Sequence, residues 1–280
     1  PWDALAPYGA IARKHPNGAI DLSVGTPVDP TPEFIQRELR DASNSPSYPV
    51  TVGTPELREA ITIWAKKVLS ATGEFGVLPL IGSKEFVAWL PTFIQAKSVL
   101  YPEVAYPTYL VGALLAEANA TAVNNDAAAW PQADMAWVNS PSNPTGRVHS
   151  ESELRAALAW SRTHRSIVVS DECYLEFGDT AKPTSILQYT DGDNTNVLAV
   201  HSLSKRSSMA GYRAAFIVGD PQLIASILEV RKHAGMMVPL PVQKAMAAAL
   251  SDDVHVAEQR NRYNARRAQL IPSLQSAGFI

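Results

Sequence analysis

The sequence predicts an α/β protein built on a mostly parallel seven-stranded sheet, and three observations support that reading. Seven short apolar runs with β-forming residues are bounded by turn formers. Several of them are separated by stretches with apolar residues at helical spacing. Such alternation implies right-handed crossovers that return the chain to the same sheet edge. A hydrophobic content of 46% over 280 residues is ample for the buried core this requires.

In chain order, residues 1–40 are Pro-rich and read as a loop-like arm with one short helix over 33–39, begun just after Pro32. Thr54 is placed to cap a longer helix over 55–68. Strands are expected at 77–81, 98–101, 121–123, 135–138, 167–170, 197–201 and 214–218. Helices are expected between them at 84–94, 109–118 and 151–164, and the chain turns helical after Pro221, over 223–233, 241–250 and 254–276. The chain opens on Pro1 and closes on Gly278-Phe279-Ile280, which reads as the entry to a further strand, so both ends are expected to be incomplete.

Charge and composition narrow the function classes. With 24 basic and 27 acidic residues the formal net charge is −3, which gives no electrostatic reason to expect a nucleic-acid or membrane-surface partner. A small-molecule ligand is expected instead. A single cysteine, Cys173, excludes an intramolecular disulfide, and no signal segment or membrane-length apolar run is evident, so the expected location is cytoplasmic. The six histidines show neither H-E-x-x-H spacing nor Cys/His clustering, and no metal site is expected.

In open α/β sheets ligands bind beyond the carboxyl ends of the strands. Four of those ends are polar here. Gly82-Ser83-Lys84-Glu85 breaks a strand into a helix, where freed N–H groups and the helix dipole suit a phosphate, although an ordinary strand-to-helix turn reads the same way. Asn139-Ser140-Pro141-Ser142-Asn143-Pro144-Thr145-Gly146 is either a tight loop or a rigid mount for the Asn143 amide. Asp171 ends a buried strand with Tyr174 three residues on, a pair that is equally a cap and a surface group. His201-Ser202-Leu203-Ser204-Lys205-Arg206 sets a lysine among hydroxyls with Arg213 eight positions later, and a lysine beside other cations in a cleft becomes nucleophilic.

Each end is ambiguous alone. Their succession, N-P-T-G, then D-x-x-Y, then S-x-S-K and a trailing arginine, closely resembles the cofactor-binding series of the class I and II aminotransferases of fold type I, from Asp21 to the end of the chain. That resemblance implies pyridoxal 5'-phosphate as cofactor, held by Lys205 as a Schiff base. It further implies that Asp171 keeps the pyridine nitrogen protonated, and that Asn143 and Tyr174 bond the ring's phenolic oxygen. The backbone at Ser83 and Lys84, the hydroxyls of Ser202 and Ser204, and Arg213 would bind the phosphate. Tyr106 matches the aromatic that lies against the ring, or is a packed core tyrosine. Tyr48 matches the tyrosine that reaches the neighbouring subunit's phosphate, implying a homodimer with shared active sites. Gly25 corresponds to a glycine near the substrate carboxylate, or is a turn glycine. The arginine that pairs with the substrate α-carboxylate would lie beyond Ile280. In this scheme 1–40 is an arm and part of a small domain, 41–250 the large cofactor-binding domain, and 251–280 the start of a truncated C-terminal small domain.

Three further stretches, 23–30, 82–91 and 231–239, resemble the N-succinyldiaminopimelate aminotransferases of actinobacteria. This implies ping-pong transfer of an amino group from glutamate, an amino acid, to the 2-oxo acid N-succinyl-2-amino-6-oxopimelate, in diaminopimelate and lysine biosynthesis. The physical reading of the residues does not reach that substrate. It leaves open an aspartate, alanine or aromatic aminotransferase, a carbon–sulfur lyase, and the aminotransferase-like sensor domain of a transcriptional regulator.

Overall fold

The computed structural model describes residues 2–20, 25–178 and 182–279. Pro1, Ser23, Val24 and Ile280, on which parts of the sequence reading rest, lie outside them. Its elements run α1 (Ala6–Ala12), α2 (Glu33–Asp41), α3 (Pro55–Val68), β1 (Gly76–Ile81), α4 (Ser83–Phe93), β2 (Ser98–Pro102), α5 (Thr108–Leu115), β3 (Asn119–Val123) and β4 (Met135–Asn139). There follow α6 (Glu151–His164), β5 (Ile167–Asp171), β6 (Val197–Ser202), α7 (Leu203–Arg206), β7 (Ala214–Gly219), α8 (Pro221–His233), α9 (Leu240–Leu250) and α10 (Val254–Ser276).

The seven strands form one sheet in the order β1-β7-β6-β5-β4-β2-β3. Pairings among β3, β2, β4, β5 and β6 are parallel, whereas β7 runs antiparallel to both β6 and β1. Only β7 is therefore reversed, as expected where a short α7 and a turn replace the full crossover that a parallel connection needs. The reversal matters for function. It brings the amino end of β7 to the edge where β1, β4, β5 and β6 end, and the register sets Ile81 opposite Ala214 and Ser202 opposite Ala215.

Alternation along the strands separates two cores. Val138, Val168, Val197, Ala199 and Phe216 face a cluster with α3, α6 and α9, while Trp137, Val169, Leu198, Val200 and Ile217 face one with α4, α5 and α8. Pro79 within β1 is tolerated because β1 lies at the sheet edge and pairs on one side only. Thr54 caps α3 by accepting from the Leu57 N–H at 3.2 Å, and Ser150 with Glu153 closes a capping box on α6.

Two helices escape the sequence pattern. α1 has no buried residue, so no apolar stripe announced it, and α7 is a single turn, too short for a period. No helix among the described residues is long and apolar enough to cross a membrane.

Candidate active site

The polar ends of β1, β4, β5 and β6 and the start of β7 meet along one edge of the sheet. At its centre Asp171 ends β5 with only 7% of its surface exposed. Its carboxylate accepts from the Tyr109 hydroxyl at 2.8 Å and from the Cys173 N–H at 3.2 Å. Burial pushes its pKa up, against the downward pull of those neutral donors and of the nearby His201. Tyr109 is stacked on Trp137 with ring centroids 5.0 Å apart, and burial, followed by the Asp171 charge, drives its own pKa well up.

Asn139, the last residue of β4, ties this strand end to the following loop. Its Nδ2 donates to the Asp171 carbonyl at 3.0 Å, and its Oδ1 accepts from the Asn143 N–H at 2.7 Å. Asn143 is thereby aimed by a buried amide rather than by its flanking prolines alone. Asn143 and Tyr174 line one cleft of about 470 Å³, and burial pushes the Tyr174 phenol up to about 12.

On the other side of Asp171, Ser202 caps α7 by accepting from the Ser204 N–H at 3.1 Å, with the two hydroxyls 2.9 Å apart. Lys205 follows in the same turn, half-buried, and its pKa is lowered first by desolvation and then by the Arg213 charge, opposed by Cys173. Burial, with the Asp171 charge behind it, pushes the Cys173 thiol well up, and Ser83 and Lys205 lie near enough to oppose that rise. Ser83, Cys173 and Lys205 are thus brought together.

Gly82 has φ +77°, and a Cβ there would lie 2.1 Å from Arg213 Nη2. The guanidinium therefore packs on bare backbone at the amino end of α4, donating from Nη1 to the Ala210 carbonyl at 2.9 Å. Arg213 itself is held at φ +56°. Together with Ser83, Ser202 and Ser204 this forms a cradle rich in donors and carrying a cation, suited to a phosphate.

These residues fit pyridoxal phosphate. Asp171 is a buried carboxylate that lacks a cationic hydrogen-bond donor among the described residues, which is what a protonated ring nitrogen supplies. Lys205 is a desolvated amine, and the Gly82–Arg213 cradle supplies the anion site. No group of three or more His, Cys, Asp or Glu side chains arranged to hold a metal ion occurs among the described residues.

Lys84 keeps its backbone beside Ser83 in the first turn of α4, with its side chain exposed. Two residues stand apart. Tyr48 is 93% exposed, and Gly25 is exposed with nothing within 4 Å of where its Cβ would be. Tyr106 is half-buried, its ring edge-on to Tyr109 at 6.0 Å, so it lies on the Asp171 side of the site. Sequence reasoning left out Tyr109 and Asn139 as site residues. Tyr109 stands one helical turn after Tyr106, and Asn139 is a polar residue ending a fully buried strand.

Residues 17–280 match the family model described as aminotransferase class I and II. The chain is 53% identical over 287 residues to a protein of Mycobacterium tuberculosis named "Probable aminotransferase", covering 100% of this chain and 69% of that one. It is 47% identical over 286 residues to the 4-dedimethylamino-4-oxo-anhydrotetracycline transaminase of Streptomyces rimosus, covering 100% of this chain and 80% of that one. Among solved structures, a "probable N-succinyldiaminopimelate aminotransferase" of Thermus thermophilus superposes with a TM-score of 0.89 at 25% identity, over 98% of this chain and 80% of that one.

Proposed function

This chain belongs to the class I and II aminotransferases, which work with pyridoxal 5'-phosphate, and from that premise we propose that it transfers an amino group from glutamate to N-succinyl-2-amino-6-oxopimelate. The observation that carries the chemistry is the Asp171 carboxylate, buried at a strand end with neutral donors only, on the same edge as the Lys205 amine and the Gly82–Arg213 cradle. The bound cofactor supplies a carbonyl that accepts the amino group and a ring that takes up the electron pair left when the substrate α-proton departs.

Each residue then has a task set by its surroundings. Lys205 Nζ would hold the cofactor and would move the proton at the substrate α-carbon, a role suited to an amine whose pKa desolvation has lowered. Asp171 holds the proton on the ring nitrogen, and Tyr109 fixes that carboxylate in place. Asn143 and Tyr174 donate to the phenolic oxygen from the cleft they share. The backbone at Ser83 and Lys84, the hydroxyls of Ser202 and Ser204, and Arg213 would bind the phosphate, with Tyr106 against the ring and Gly25 near the substrate carboxylate. Tyr48 reaches the phosphate of a second copy in a homodimer, and the enzyme acts in the cytoplasm without nucleic acid. The reaction is ping-pong: one pocket serves first the donor, which leaves as 2-oxoglutarate, and then the acceptor.

The succinylated acceptor is supported by the stretches at 23–30, 82–91 and 231–239 and by the Thermus thermophilus structure. A second reading, transfer to a polycyclic ketone, is favoured by the Streptomyces rimosus relative. The test is to add glutamate to full-length protein carrying its cofactor and follow the cofactor's absorbance, then supply each acceptor in turn. Loss of the visible band with release of 2-oxoglutarate, reversed by the succinylated acceptor, is expected. An unchanged spectrum contradicts amino transfer from glutamate, and recovery with the polycyclic ketone alone selects the second reading.

A further inference from the structure

The cleft of about 470 Å³ that Asn143 and Tyr174 share is closed on its far side by α10, which contributes Arg267. The rest of its lining is neutral, including Pro144, Val148 and Phe177, so Arg267 is its single charged side chain among the described residues. The guanidinium is held rather than loose: Nη1 donates to the Phe177 carbonyl at 3.4 Å and Nη2 donates to Asn264 Oδ1. Its Nε is buried with no acceptor. Nearby acids are committed elsewhere, Glu176 to Arg206 and Asp29 to Arg266. A positioned cation with an unused donor, in a neutral cleft within the usual size range of small-molecule sites, is a receptor for an anion.

We propose that Arg267 is a specificity-determining residue that binds the second carboxylate of the substrate, the one remote from the reacting carbon. The assignment rests on the amino-transfer reading above and deepens it. Among the described residues the cleft has one fixed cation and no acid, which favours acidic donors and acceptors over neutral amino acids, because a monocarboxylate leaves the buried Nε without an acceptor. Arg267 shares α10 with Arg260, Arg262 and Arg266, so nothing in its spacing reveals the contact.

The test uses full-length protein carrying its cofactor, and equilibrium binding as well as turnover. Glutarate, an unreactive dicarboxylate, and butyrate, its monocarboxylate counterpart, are titrated while the cofactor absorbance is followed, in the natural protein and in R267A and R267K. R267A is expected to weaken glutarate about 10- to 100-fold, the range for one charge-assisted hydrogen-bonded contact, and to leave butyrate within about twofold. R267K, which keeps the charge and most of the stem, is expected to fall between. Half-reaction kcat/KM should drop for glutamate and hold for alanine in R267A. Equal losses for both ligands, or none, would overturn the assignment. If the natural protein binds glutarate but never passes an amino group from glutamate, the amino-transfer reading fails while the binding comparison still decides the role of Arg267.

Discussion

The two sides of the site differ in what a single chain provides. Along the sheet edge, Asp171, Ser202 and Ser204 are buried, and Asp171 and the two serines hydrogen-bond within strand ends that the core fixes on both faces. Toward the amino terminus, α1 buries no side chain, Tyr48 projects at 93% exposure and Gly25 is exposed with open space where a Cβ would lie. One chain thus assembles the groups proposed for proton chemistry and phosphate binding, whereas the contacts proposed for Tyr48 and Gly25 need something to pack against them.

Breaking the buried side should cost most. Lys205→Ala should abolish turnover in both half-reactions, with no product above background when purified enzyme is assayed with glutamate. Asp171→Asn keeps the shape but removes the charge that holds the ring proton, and kcat/KM should fall on the order of 10²- to 10⁴-fold, as for loss of a positioned proton-transfer group. An activity within tenfold of the natural enzyme would detach Asp171 from the ring. Gly82→Ala drives a methyl against Arg213 at a left-handed position, so cofactor affinity should drop about tenfold or more, read by equilibrium dialysis, with little change if phosphate binds elsewhere.

The exposed side is sharpened by a mixing experiment. Tyr48→Phe should lower cofactor affinity severalfold, and combining it with the inactive Lys205→Ala subunits should give hybrids with a single intact site. Recovery of some activity on mixing would support shared sites. Strict dilution would leave each chain working alone.

The smallest effect expected is on stability. Burial lowers the pKa of His149 and His255, so the folded state resists their protonation while the unfolded chain takes up protons below about pH 6.5. The carboxyls of Asp29 and Glu153, held down to about 2 by Arg266 and Arg147 respectively, add a loss as pH falls from about 4 toward 2. Melting temperature should therefore decline steadily on acidification from neutral, and a flat profile between pH 7 and 5 would show the histidines to be exposed.

Much of this was legible in the sequence because its signals are local. Apolar runs predict the seven strands, and Thr54 marks the start of α3 by the same hydroxyl chemistry the structure displays. The D-x-x-Y and S-x-S-K stretches fall at strand ends for the reason that makes such ends binding sites. Tyr109 and Asn139 were not legible as site residues, since their partner is Asp171, 62 and 32 positions away, and only the sheet brings them together. The reversed direction of β7 is equally a matter of pairing rather than of composition. Arg267 is one of four arginines on α10, and only the fold shows that it is the one lining the cleft.

Full-length protein loaded with pyridoxal phosphate is treated with borohydride, digested, and mapped by mass spectrometry for the lysine that retains the cofactor. The label is expected on Lys205 alone, and abolished by pre-reduction of the free aldehyde. Label on Lys84 or Lys97 with Lys205 unmodified, or no stable label at all, would contradict Lys205 as the anchor.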